Sequence, residues 1–167
     1  MVMIMQTFYM TDAGKVRTHN EDSVIMVGNN NNEFILAVAD GMGGHKAGEI
    51  ASNIAIEHIV QSFESMEKIG KKEEGIDWLR KIVKEINEKI FEYTSIHPES
   101  KGMGTTLVIA IKTDDYILYG NIGDSSGYEI NSRTSWQVTN ARFTKWPGCS
   151  YEGSWCGFLP ENNGNAN

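Results

Sequence analysis

An apolar run, Phe34-Ile35-Leu36-Ala37-Val38-Ala39, ends on an acid and a glycine-rich turn, Asp40-Gly41-Met42-Gly43-Gly44-His45. A short apolar run bounded by turn residues reads as a buried strand. Such a strand delivers one carboxylate to its end, where the backbone must turn sharply. The glycines leave the main chain bare there, so its carbonyls and amides can reach a ligand. A second acid cluster lies upstream, Arg17-Thr18-His19-Asn20-Glu21-Asp22. The two segments read as two walls of a site for a hard cation and a phosphate.

The flanking pattern sets the fold class. Residues 4–9 and 22–28 read as strands from their apolar and β-branched content. Gly28 and Asn29 to Asn32 tolerate positive φ, so a hairpin into a strand over 34–40 is expected. Ala47, Ile50, Ala51, Ile54, Ala55, Ile59 and Phe63 follow helical spacing, which predicts a helix from Ala47 to Glu64. Lys68 to Gly75 reads as a charged linker. A second helix is expected from Asp77 to Tyr93, with Leu79, Ile82, Val83, Ile86 and Ile90 on one face. Glu85 and Lys89, four apart, are placed to pair, and His97-Pro98 marks the stop. Strands follow over Thr105 to Thr113, Tyr116 to Gly123 and Gly127 to Ile130. Strands, then two helices, then strands argue for an α+β layered domain rather than a parallel sheet.

Composition narrows the function. The 167 residues suit one domain, and 40% hydrophobic residues suffice for a core. A net charge of −7 argues against a nucleic-acid surface, which would be basic. No apolar stretch approaches the roughly 18 residues of a membrane helix, so no membrane insertion is expected. The opening Met1-Val2-Met3-Ile4-Met5-Gln6 lacks a basic leader and reads as part of the first strand, not a signal peptide. Cys149 and Cys156 match no zinc spacing and are expected as free thiols of a cytoplasmic protein.

Taken in order, Arg17-x-x-Asn20-Glu21-Asp22, Asp40-Gly41-Met42-Gly43-Gly44-His45, Gly104-Thr105-Thr106 and Gly123-Asp124-Ser125 resemble the metal-dependent serine/threonine phosphatases of type 2C. The resemblance is to the small bacterial branch, whose members oppose membrane serine/threonine kinases. It covers residues 7–130 or so, and residues 1–130 are expected to be the N-terminal part of a type 2C catalytic domain. It implies a four-layer α-β-β-α sandwich of two antiparallel sheets flanked by helices, here incomplete at the C-terminus. The implied reaction is hydrolysis of phosphoserine and phosphothreonine in proteins by a metal-activated water, without a phosphoenzyme. Two Mn²⁺ or Mg²⁺ ions are implied, with a third, weaker site. Asp40 would bridge the ions, the Gly41 carbonyl would bind one, and Asp22 would contribute with Glu21 in support. Arg17 would hold the phosphate, Asp124 corresponds to the third site, and His45 or a metal-bound water would supply the leaving-group proton. The implied partners are phosphorylated proteins, targets of a membrane kinase.

Plainer roles compete at each position. Asp22 and Asp40 also suit strand ends, Arg17 a surface pair with Glu21, His45 a helix start and Asp124 a turn cap. Gly104-Thr105-Thr106 reads as the opening of a core strand. Where the family has an arginine after Gly-Asp-Ser, this chain has Ser126, and no aspartate follows Asp124. Residues 131–167 do not match the family pattern and read as a truncated, frameshifted or divergent tail. The alternative function is therefore an impaired or inactive phosphatase fragment, acting at most as a phosphoprotein-binding module.

Overall fold

The computed structural model describes residues 6–44, 46–130, 135–137, 144–145 and 155–160. Strands β1 (Asp22–Gly28) and β2 (Phe34–Met42) form the expected hairpin. Its turn is built by Asn29, whose Oδ1 accepts the N–H groups of Asn31 and Glu33 at 2.9 and 3.1 Å. Asn32 closes it with φ at 60°, a conformation that asparagine tolerates.

Helix α1 (Ala47–Glu64) has the bounds that the spacing predicts. Helix α2 runs over Lys72–Ile96, one turn longer at each end than expected. The charged stretch read as a linker is partly its first turn. Acidic Glu73 and Glu74 favour a helix N-terminus, and Glu74 Oε2 accepts the Lys71 N–H at 3.1 Å. Gly75 is buried there, and a Cβ on it would come 2.1 Å from Leu118 Cδ1, so the close packing needs glycine. Glu85 takes His58 of α1 at 2.8 Å and Lys81 at 3.8 Å rather than the expected Lys89. The expectation looked only along one helix, and the stronger partner came from its neighbour.

After a short 3-10 turn, Pro98–Ser100, come β3 (Gly104–Thr105), β4 (Leu107–Lys112), β5 (Tyr116–Ile122) and β6 (Tyr128–Ile130). Then follow β7 (Ser135–Gln137), β8 (Thr144–Lys145) and β9 (Trp155–Pro160). The main sheet is antiparallel in the order β1-β2-β4-β5-β9-β8, with β3 extending the ladder on β2. A separate ribbon pairs β6 with β7. The α+β expectation holds: one antiparallel sheet carries a helix pair on one face. Residues 6–9 of the expected first strand form none, because no described strand offers them a ladder; Phe8, Tyr9 and Met10 are exposed. Met1 to Met5 lie outside the described residues, as does Cys149.

The core lies between sheet and helices. Ile35, Ala37 and Ala39 of β2 and Leu107, Ile109 and Ile111 of β4 meet Ala55, Ile59 and Phe63 of α1 and Leu79 and Ile82 of α2. Alternation along the strand then sends Leu36, Val38 and Asp40 to the opposite face. Among the described residues no helix is long and apolar enough to cross a membrane.

One buried acid anchors this layer. Glu33, 0% exposed, accepts the Ile69 N–H at 3.0 Å and Asn29 Nδ2–H at 2.9 Å. It ties the hairpin turn to the α1–α2 connection. Glu33→Ala would strand both donors, at a cost of about 2 kcal/mol. Urea unfolding measures it, and a loss below about 0.5 kcal/mol would show that water replaces the carboxylate.

Candidate functional site

The acids converge because of strand register. Asp22, the first residue of β1, lies directly opposite Asp40 near the end of β2. Residues opposite one another in an antiparallel pair share a face, so both carboxylates project from the side away from the helices. Their like charges repel one another.

The Asp40 carboxyl accordingly sits above its ordinary value of 3.8. Although the residue is solvent-exposed, partial desolvation of the carboxyl is the largest cause. Asp22 comes next, by repelling the ionised form and favouring the protonated one, then the Asp124 charge, and Arg17 opposes them. One sheet end therefore gathers Asp22, Asp40, Asp124 and Arg17 within electrostatic reach.

Asp124 stands exposed in the turn after β5. Gly123 makes that turn with φ at +93°. Arg17 is well exposed and sits 3.7 Å from Glu21, a loose ion pair that leaves its guanidinium near water. Asn20 Oδ1 accepts the Asp22 N–H at 3.1 Å and orients the start of β1. His45 lies outside the described residues.

Gly41 and Glu21 fix how α1 meets this end. A Cβ on Gly41 would fall 2.0 Å from the Gly48 carbonyl oxygen, so only glycine admits the first turn of α1 so close. The Glu21 carbonyl accepts the Gly41 N–H at 3.1 Å and the Ser52 Oγ–H at 2.7 Å. Ser52, 0% exposed, also lies 3.0 Å from Ser23 Oγ. Sequence reasoning passed over Ser52. Its signal is a hydroxyl on the otherwise apolar stripe of Ala47, Ala51 and Ala55, where a buried donor must find an acceptor.

Sequence reasoning also gave Gly104-Thr105-Thr106 only a strand-opening part. Gly104 and Thr105 do form a strand, on β2 rather than as the start of β4. Thr106 interrupts the two, and its side chain contacts the Asp40 backbone.

The donors suit a hard divalent cation. Carboxylates with a nearby backbone carbonyl are the oxygen set that Mg²⁺ and Mn²⁺ prefer. A cation between the acids would relieve their repulsion. Among the described residues, no group of three or more acids, histidines or cysteines forms a closed metal cage. The arrangement is a carboxylate pair with a third acid in electrostatic reach.

Residues 13–142 match the family model for protein phosphatase 2C. The chain is 39% identical over 135 residues to the serine/threonine phosphatase stp of Listeria welshimeri, covering 81% of this chain and 54% of that one. It also resembles the crystal structure of the Staphylococcus aureus serine/threonine phosphatase Stp1, with a TM-score of 0.73 and 39% identity over 80% of this chain and 52% of that one. The catalytic domain of the phosphatase PstP, crystallised in complex with 2 manganese ions, matches with a TM-score of 0.68 at 35% identity, over 78% of this chain and 53% of that one. The chain spans about half the length of the Listeria relatives it matches.

A raised pKa in the native state means that the fold binds more protons than the unfolded chain just above pH 3.8, so stability falls as pH rises through the Asp40 pKa. Asp22→Asn removes that repulsion. Without metal, it is expected to stabilise the chain at neutral pH by less than about 1 kcal/mol, since exposed charges are screened. The gain should vanish below the ordinary carboxylate range. Denaturation of the metal-free variant across pH checks this, and a destabilised variant would mean that the acids do not repel.

Proposed function

The chain belongs to the protein phosphatase 2C family, and from that premise we propose that it hydrolyses phosphoserine and phosphothreonine in proteins with the help of divalent cations. The supporting observation is the pairing of Asp22 with Asp40 across β1 and β2, where desolvation and the neighbouring Asp22 charge raise the Asp40 pKa. Such a pair is electrostatically incomplete without a cation.

Asp40 and Asp22 would hold the ions, with the Gly41 carbonyl as a further oxygen donor and Asp124 serving a weaker site. Bound Mn²⁺ or Mg²⁺ supplies acidification of a water and neutralisation of charge at phosphorus. Arg17, loosely held by Glu21, is free to turn its planar fork to two phosphate oxygens. Glu21 braces the start of β1 through its carbonyl and restrains Arg17 through its carboxylate. His45 or a water would donate the leaving-group proton. The substrates would be cytoplasmic phosphoproteins made by a membrane serine/threonine kinase, and Mn²⁺ in the PstP catalytic domain favours that ion.

A second reading rests on ligand number. With two paired carboxylates and no closed cage among the described residues, the chain would bind phosphoprotein through Arg17 and one ion without turnover. Ion binding with no hydrolysis of an aryl phosphate selects that reading.

At roughly 100 times its dissociation constant, Mn²⁺ should stabilise the chain by about 2.7 kcal/mol. Asp40→Ala should abolish both that stabilisation and any Mn²⁺-dependent hydrolysis of p-nitrophenyl phosphate, and surviving activity would mean that the ligand is misassigned. Arg17→Ala should raise KM for a phosphopeptide about tenfold, the loss of a charged hydrogen bond, and leave the Mn²⁺ affinity nearly unchanged. Equal losses of both would count against a phosphate role.

A further inference from the structure

The strand register is the same on both sides of Thr106: Val38 lies opposite Val108, and Gly41 lies opposite Thr105. Asp40 therefore lies opposite Thr106. A hydrogen-bonded antiparallel pair exchanges two N–H···O=C bonds. The first is present, from the Thr106 N–H to the Asp40 carbonyl at 2.9 Å. In place of the second, the Asp40 N–H donates to the Thr106 side chain, Oγ1, at 3.1 Å. The Thr106 carbonyl instead accepts the Thr105 hydroxyl at 2.9 Å. This exchange of acceptors is what separates β3 from β4.

A carbonyl in the ladder would serve the strand pair alone. A hydroxyl carries a proton as well as lone pairs, and this one reaches a third element. Thr106 Oγ1 lies 2.6 Å from Ser125 Oγ, in the residue after Asp124. The turn beneath is fitted to it, since a Cβ on Gly123 would come 2.8 Å from Thr106 Cγ2. Thr106 thus touches two motifs that are distant in sequence, Asp40-Gly41 and Gly123-Asp124-Ser125.

We propose that Thr106 is a positioning residue for the ion-binding acids: its hydroxyl, standing in the ladder where a carbonyl belongs, ties the Asp40 main chain to the turn that carries Asp124. This rests on the ion-binding reading of Asp40 given above. Partners of metal ligands commonly govern affinity about as strongly as 10- to 100-fold. Thr106 acts on the ligand's backbone, which sets where the carboxylate can point.

The test uses the full 167-residue chain with Thr106→Val, Thr106→Ser and Ser125→Ala. Amide hydrogen exchange in metal-free protein reads the tie directly, and Mn²⁺ titration followed by electron paramagnetic resonance reads its consequence. Thr106→Val should speed exchange at the Asp40 amide about fivefold or more and weaken Mn²⁺ binding about tenfold or more. Thr106→Ser, which keeps the hydroxyl, should restore both; a merely structural role for the γ-methyl would not be rescued this way. Ser125→Ala should spare the Asp40 amide, speed exchange at Asp124 and weaken Mn²⁺ to a lesser degree. A folded Thr106→Val chain with wild-type Mn²⁺ affinity overturns the proposal and leaves the ion-binding reading intact. A wild-type chain that takes up no Mn²⁺ overturns both. Should Thr106→Val fail to fold, unchanged Mn²⁺ affinity in Ser125→Ala overturns the proposal.

Discussion

The register between β1 and β2 governs everything at the candidate site. Asp22 faces Asp40 only because each strand advances in step from the Asn29 turn at the far end of the hairpin. A slip of one residue would send one acid to the helix face, since side chains alternate along a strand. Such a slip would bury a carboxylate in the layer of Ala39 and Ala51, at a large cost in desolvation. The turn resists it. Asn29 holds the backbone of Asn31 and Glu33, and the Glu33 carboxylate is locked by Ile69. A buried acid at one end of the hairpin thus sets the meeting of two exposed acids at the other.

Gathering those acids has an electrostatic cost. Desolvation, Asp22 and Asp124 raise the Asp40 pKa, and Arg17 opposes them. Sites arranged for a ligand commonly give up stability in this way. The compensation lies in the core beneath, where Ile35, Ile109, Ile111 and Phe63 are fully or almost fully buried. The sheet is held from its helix face, so the opposite face is free to carry charge.

Close approach of α1 completes the arrangement. Gly41 and Gly48 meet where no side chain fits, and Ser52 uses the short distance to bind the Glu21 carbonyl. The same carbonyl takes the Gly41 N–H, so the starts of β1 and α1 and the end of β2 share one acceptor. The glycines read from sequence as a bare turn open to a ligand also serve here as the seat of a helix.

Much of this was legible in the residues. The hairpin, the full extent of α1, the α+β class and the pairing of acid-bearing segments follow from short-range patterns: asparagines at a turn, apolar spacing of 3.6, an apolar run ending in Asp-Gly. The family resemblance followed from motif order. Other features depended on contacts that no local pattern encodes. The first turn of α2 looked like a linker because its charges mask its capping by Glu74. Glu85 found His58 across a helix interface rather than Lys89 along its own helix. Glu33, Ser52 and Thr106 are polar residues whose partners lie 31 to 66 positions away. By itself the sequence determined which segments form strands and helices and which residues carry charge, since these depend on neighbours within a few residues. Only the tertiary structure decided which polar groups satisfy one another, because hydrogen bonds between distant segments exist only once packing has brought those segments together.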